Sequence, residues 1–393
     1  PAPKARDPRL DFFRGAGMFI ILYAHIPWNT WADWIPARFG FSDAADLFVF
    51  CSGMASAIAF GRVFTDYSWF FGAARIVYRM WQVYWAHVGS FLVTIGVYIT
   101  ADSWLGVSRY LAADSPLAYL VNEPKRALVE FLTLTWAPNY FDILPMYIVI
   151  LGMIPIVMAL ARVHVALVAI FVIGTWAGAN FLGWNFTGDR VGGWGWFFNP
   201  FAWQLVFFTG FAFMRGWLPT PPRDSRLMWA AIAFCVICAP FSCQYGFACY
   251  AGWGYAPALG EIHDWLEPVR NKTYQGPLRF AHFLATVYLA WYFVGERGAN
   301  LTGPIVEITR RVGQQTLAVF LVGIVAAQTL GIALDIIGRN FFATAAANVT
   351  GTLALITTAY VVAWFKAPPW KKKATAQAAR PVETTADPQP SPA

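Results

Sequence analysis

Ten apolar windows, each long enough to cross a bilayer, run through this chain near residues 12–31, 44–61, 76–100, 141–161, 164–183, 199–217, 226–245, 278–295, 313–334 and 341–365. A hydrocarbon core about 30 Å thick takes roughly 20 apolar residues of helix. Lipid offers no partner to an open backbone, so helices are the expected solution. The sequence therefore predicts an all-α integral membrane protein of about ten transmembrane helices. Charged residues are only 12% of the 393, against about 25% in soluble domains. That composition leaves no nucleic-acid reading for the net charge of +7, and the basic excess is instead a topology signal. An even number of spans puts both termini on one side. With that side cytoplasmic, 19 of the 28 Lys and Arg residues fall inside, as the positive-inside rule requires. Residues 1–11 then form a cytoplasmic N-terminus, 12–365 a single transmembrane domain, and 366–393 a basic, disordered cytoplasmic tail with no core to join. The first apolar run ends in His-Ile-Pro-Trp-Asn rather than a small-residue cleavage site, so it reads as an uncleaved span. The 127–137 stretch is too short to span and reads as interfacial or re-entrant.

The first span carries the chemistry that needs explaining. Arg14 and His25 are eleven residues apart, close to three whole helical turns, so both point the same way about 16 Å apart. Asp11 and Asn29 extend that face. Ionisable residues on one stripe of a membrane helix mark a bundle interior or a wet cavity. By topology His25 lies about one turn below the outer surface. Asp46 at the start of the second span and Asp142 at the start of the fourth lie at matching depth. A histidine with carboxylates at its level is a candidate general base with an orienting acid. Each aspartate is equally well placed to cap its own helix. At the inner side Arg75, Arg79 and Gln82 share one helix face, and Arg310 and Arg311 open the ninth span. Clustered guanidinium groups suit a phosphorylated ligand, which they bind bidentately.

The outer loops are the longer ones and are rich in aromatic residues. Trp28, Trp31 and Trp34 recur at spacing three, and Trp184, Trp194 and Trp196 lie among glycines. Flat aromatic faces suit stacking on sugar rings, and they equally suit the membrane interface. Cys235 and Cys238 mimic a metal pair but lack a second pair or a nearby His, so no metal is expected. Cys243 and Cys249 face the oxidising outer side, where a disulfide is an open option. His87 is expected to satisfy itself within the bundle.

Several of these stretches resemble known proteins. Arg14 to His25 resembles the Arg-x10-His motif of the acyltransferase-3 superfamily, and Ala45 to Gly53 its second-span Asp…Phe-Phe…Ser-Gly pattern. Arg75 and Arg79 resemble its inner arginine pair, with three intervening residues here instead of two. More closely, Arg9–Gly15, Ala24–Asn29, Arg38–Gly61, Phe141–Tyr147 and Asn199–Gly210 are similar to the OpgC family, inner-membrane succinyltransferases of osmoregulated periplasmic glucans. The resemblance implies a membrane-bound acyltransferase in the bacterial inner membrane, with no permanently bound cofactor. It implies acyl-CoA, succinyl-CoA first, as cytoplasmic co-substrate, a periplasmic glucan as acceptor, and contacts with membrane lipid and other glucan-biosynthesis proteins. His25 would be the general base, supported by Asp46 or Asp142. Arg14, Arg75, Arg79, Arg310 and Arg311 would bind the donor, and Asn29, Trp28, Trp194, Trp196 and Gln204 the acceptor or the oxyanion. A transporter of a glucan or anion is the competing class, although the inverted repeat it calls for is not evident. An O-acetyltransferase acting on another envelope polysaccharide is the alternative within the enzymes.

Overall fold

A computed structural model describes residues 7–112, 117–138, 140–189, 193–242 and 257–367. In chain order the helices are α1 (Pro8–His25), α2 (Ala44–Asp66), α3 (Trp69–Leu105), α4 (Ala118–Asn122), α5 (Pro124–Leu132), α6 (Ile143–Val163) and α7 (Val165–Leu182). After a two-stranded ribbon, β1 (Thr187–Asp189) and β2 (Trp194–Gly195), come α8 (Pro200–Arg215), α9 (Ser225–Cys238), α10 (Pro257–Trp265) and α11 (Glu267–Arg270). The chain closes with α12 (Pro277–Val294), α13 (Pro304–Gln314), α14 (Thr316–Ile337) and α15 (Phe341–Lys366). Each of the ten apolar windows coincides with one helix. Six of them, α2, α3, α6, α7, α14 and α15, are long and apolar enough to cross a membrane. The other four differ for visible reasons. Charge interrupts α1 at Arg9, Asp11 and Arg14 and α12 at Arg279, while α8 and α9 have only 16 and 14 residues. The 127–137 stretch contributes the short helix α5 and a turn.

Helix ends follow local chemistry. Asp43 and Asp46 form a reciprocal capping box that starts α2. Ser68, Asn199, Asp224 and Asn340 cap α3, α8, α9 and α15 with their side chains. The far end of α1 is set by Pro27, because a residue before proline avoids the helical region. Ile26 is accordingly extended, and His25 is the last helical residue.

Small residues decide which helices touch backbone to backbone. A Cβ at Gly15 would lie 1.9 Å from the Thr309 carbonyl oxygen, and one at Gly313 would lie 1.8 Å from that of Asp11. Together they seat α1 directly on α13. Gly53 and Gly210 do the same between α2 and α8, at 1.9 Å from the Phe207 oxygen and 2.3 Å from the Phe50 oxygen. Lipid supplies no hydrophobic drive for helix association, so close packing of this kind has to hold the bundle.

Gly53→Ala should therefore destabilise the folded protein by about 1–3 kcal/mol or more, since the neighbour is rigid backbone. Gly89, with nothing within 4 Å of its Cβ position, is the control, and Gly89→Ala should be neutral or gain up to about 1 kcal/mol. Thermal unfolding of the two variants in one detergent compares them directly.

Candidate active site

His25 sits half-buried at the last turn of α1, and its Nδ1 lies 2.7 Å from the Ile21 carbonyl oxygen. A carbonyl only accepts, so Nδ1 carries the proton and Nε2 keeps its lone pair. The backbone thus sets the tautomer without a carboxylate. The Tyr140 ring meets the imidazole edge-on at 5.4 Å between centroids. Tyr140 is held at φ 74°, in the left-handed region, by the turn leading into α6. From behind, α14 and the turn that follows it grip the end of α1 three times. Gln328 Nε2 donates to the His25 carbonyl at 3.3 Å, Gly331 leaves room for Pro27, and Arg339 donates to the Pro27 carbonyl at 2.5 Å. Tyr98 on α3 fixes Gln328 in turn, donating to its Oε1 at 2.8 Å.

The two candidate carboxylates meet different surroundings. Asp46 is fully buried and its oxygens are occupied. Oδ1 accepts from Gln275 at 2.8 Å, while Oδ2 accepts from the Asp43 backbone at 2.8 Å and pairs with the Arg279 guanidinium. None of these partners is His25. Asp142 occupies the N-cap position of α6 yet makes no cap hydrogen bond with its side chain, which is buried. Lys272 links these groups, because it acts electrostatically on His25, Asp43 and Asp142 alike. Its Nζ donates to Asp43 Oδ2 at 2.6 Å and lies over the rings of Phe197 and Phe198 at 5.5 and 5.3 Å. The 271–276 loop that carries Lys272 and Gln275 is pinned by its own carbonyls. Trp203 donates to Lys272 O, Asn180 to Tyr274 O and Trp176 to Gln275 O, each at 2.9 Å. Burial alone would raise the Asp43 carboxyl, but Lys272 and Arg279 beside it hold it well below the usual carboxylate range.

The residues expected to meet the acceptor scatter. Asn29 is buried in a reciprocal amide pair with Asn348 at 2.8 and 2.9 Å, and its second amide bond runs to the Tyr23 carbonyl. Gln204 donates to Val172 O at 2.7 Å and Phe201 O at 3.2 Å, tying α8 to α7. Trp196 is buried, its indole N–H bonded to Thr187 O within the ribbon, whereas Trp28 and Trp194 are 86% and 74% exposed. The ribbon leans on the site through Ala137, whose N–H bonds to Gly188 O. Ser52 is buried beside the α2–α8 crossing. His87 differs from expectation. It is fully buried, neither ring nitrogen has a hydrogen-bond partner among the described residues, and it stacks on Phe131 at 4.6 Å. Cys243 and Cys249 lie outside the described residues.

A second charged region gathers at the opposite end of the helices. Arg79 bonds to Gln82 Oε1 at 3.1 Å, and Arg75 is exposed above the Phe60 ring at 5.8 Å. Arg215 of α8 lies against Gly61, and Arg162 of α6 donates to Phe64 O at 2.9 Å. Three guanidinium groups therefore converge on one turn of α2, and none has a carboxylate partner among the described residues. Arg310 and Arg311 are engaged elsewhere. The first pairs with Glu307 at 2.8 Å, and the second bonds to Gln314 and lies over Tyr360 at 5.6 Å. Arg14 stands beside the Gly15 crossing, within electrostatic reach of Cys51.

Lys272, Arg279, Gln275, Tyr140 and Gln328 are the site residues that sequence reasoning passed over. One signal was available. Arg279 falls inside an apolar window on the side where the positive-inside rule disfavours cations, so it needed a buried partner as much as Arg14 did. Residues 6–367 match the family described as OpgC protein. No curated protein and no solved structure matches the chain.

Arg279→Leu would leave Asp46 buried without its cation and should cost about 3–5 kcal/mol, much of it recovered when Asp46→Leu is added. Unfolding of the two single variants and the double variant measures this. The Asp43–Lys272 contribution has the sign of a depressed carboxylate. It is present above about pH 4 and lost only as pH falls through the lower folded value. The destabilisation caused by Asp43→Asn should therefore be equal at about pH 8 and about pH 5, and should shrink only in stronger acid.

Proposed function

The chain belongs to the OpgC protein family, and on that footing we propose that it is an inner-membrane acyltransferase of osmoregulated periplasmic glucans. It takes an acyl group, succinyl in the first instance, from cytoplasmic acyl-CoA and esterifies a glucan hydroxyl. The observation that carries this reading is the His25 Nδ1–Ile21 carbonyl bond, which leaves the Nε2 lone pair available as a base. In the proposed step the glucan oxygen attacks the thioester carbonyl carbon while His25 Nε2 takes the hydroxyl proton. The tetrahedral intermediate collapses, the carbon–sulfur bond breaks, and the imidazolium returns its proton to the CoA thiolate. Lys272, held at the start of α2 by Asp43 at 2.6 Å with two ammonium protons to spare, is the residue we assign to the charge that develops on the carbonyl oxygen. The amide donors of Asn29 and Gln204 already serve the fold, which argues against that role for them. Asp142, the carboxylate without a cap bond, is the better candidate to support the imidazolium, because Asp46 is consumed by Arg279 and Gln275.

The donor nucleotide would dock at the other end, where Arg75, Arg79 and Arg215 lack carboxylate partners among the described residues. Guanidinium groups of that kind suit a diphosphate. Arg310 and Arg311 would have to leave Glu307 and Gln314 to join them.

Two measurements test the proposal. Periplasmic glucans from a deletion strain complemented with wild type should carry the acyl group by mass, and a succinyl ester should add charge on anion exchange. With His25→Ala present at equal membrane level, transfer should fall by roughly 10²–10⁴-fold. Unchanged glucans after deletion would defeat the glucan assignment and bring transport forward. In vitro, Arg75→Ala or Arg79→Ala should raise KM for the acyl-CoA by about tenfold with a smaller change in kcat. An unaltered KM would move the donor site elsewhere.

A further inference from the structure

The aromatic ledge beside His25 has no part in the chemistry just described. Helix α3 is 37 residues long, about 55 Å at 1.5 Å per residue, and so overruns a hydrocarbon core of about 30 Å. Its last turns lie on the His25 side, joined to it through Tyr98 and Gln328. There the Asp102 carboxylate accepts the backbone N–H groups of Arg109 and Tyr110 at 3.1 Å and of Leu111 at 3.0 Å. The chain is thereby folded back over the helix, and the Tyr110 ring stacks on Tyr98 at 5.8 Å with 16° between planes. Polar groups rim the stacked pair. Tyr110 donates to Asp335 Oδ2 at 3.0 Å, Arg339 holds the other oxygen of Asp335, and Arg109, 62% exposed, approaches Asp335 at 3.5 Å. The same residues support the catalytic turn, through Arg339 to Pro27 and through Tyr98 and Gln328 to His25.

We infer that this ledge, formed by Tyr98, Tyr110, Asp335 and Arg109, is the acceptor subsite, taking one sugar ring of the glucan. The inference rests on the acyltransferase reading and names where its acceptor lies. A pyranose has an apolar C–H face and a rim of hydroxyls. A half-buried tyrosine face edged by a carboxylate and a guanidinium complements both. The tryptophans of the 184–198 loop offer less, since Trp196 is buried and Trp194 stands 74% exposed on the ribbon without a stacked aromatic partner among the described residues. A sugar on the ledge is one residue, Gln328, away from the backbone of His25, which puts the acceptor beside the turn that carries the proposed base.

The test is equilibrium binding of a short β-glucan oligosaccharide to the full chain in nanodiscs, alongside binding of acyl-CoA. Tyr110→Leu should weaken oligosaccharide binding by about tenfold, and Tyr110→Phe, which keeps the ring, by no more than about threefold. Both should bind acyl-CoA as wild type does, which also shows that they are folded. Should Tyr110→Leu not fold, Arg109→Ala at the exposed rim takes its place, with an expected weakening of about threefold. Wild-type affinity for the oligosaccharide in these variants, or no binding to wild type at millimolar concentration, overturns the ledge. If the oligosaccharide binds through Tyr110 but no acyl group is transferred to it, the subsite stands and the acyltransferase reading falls. If transfer occurs while Tyr110→Leu leaves the acceptor Kd and KM unaltered, the reading stands and the ledge falls.

Discussion

Asp46 is fully buried at the start of α2, and its charge is tolerable there only because the Arg279 guanidinium reaches it from α12. A lone buried ion is among the most costly features a fold can contain, and a hydrogen-bonded partner is what offsets it. Arg279 also contacts Asp43 at 3.1 Å and donates to the Phe41 carbonyl, so one side chain ties the entry loop of α2 to α12. Lys272 and Gln275 join the same cluster from the loop just before α12. The loop in turn hangs on Trp176, Asn180 and Trp203. In this way a single ion-pair cluster draws α2, α7, α8 and α12 together.

The rigidity of the His25 turn has a separate source. A histidine at the end of a helix would ordinarily fray, but Pro27 ends α1 at a defined residue and Gln328, Gly331 and Arg339, on α14 and just after it, hold the turn. The Ile21 carbonyl then chooses the tautomer. An enzyme that needs a lone pair at Nε2 gains from having its proton held at Nδ1 by backbone, because a backbone carbonyl neither titrates nor changes rotamer.

Much of this was legible early. The ten apolar windows are each a helix, since in lipid apolar length and helix are nearly the same statement. The equivalence of spacing and face placed Arg79 beside Gln82, a contact the fold contains. Depth matching was less informative about chemistry. Asp46 does lie at the expected helix start, yet its partner comes from residue 279, and no spacing rule links positions more than 200 apart. Asn29 and Gln204 carried the right functional groups for an oxyanion, but polar groups buried among helices satisfy one another first, and these two found Asn348 and backbone carbonyls. The arginines divided for the same reason. Glu307 three residues before Arg310 engages it locally, while Arg75 and Arg79 have no acidic neighbour on their own helix face.

By itself the sequence determined the all-α class and the placement of the apolar helices, because hydropathy and helical period are properties of a local stretch. It did not place the end of α1: helical spacing carries the face on to Asn29, whereas Pro27 stops the helix at His25 and Asn29 caps the next turn. Only the tertiary structure decided that Ile21 rather than an aspartate orients His25, that Asp46 belongs to Arg279, and that Tyr98 and Tyr110 stack near the end of α1. Those outcomes depend on which distant groups arrive first at a buried polar atom. That choice is made by close helix crossings such as Gly15 on Thr309 and Gly53 on Phe207, which no single stretch of chain encodes.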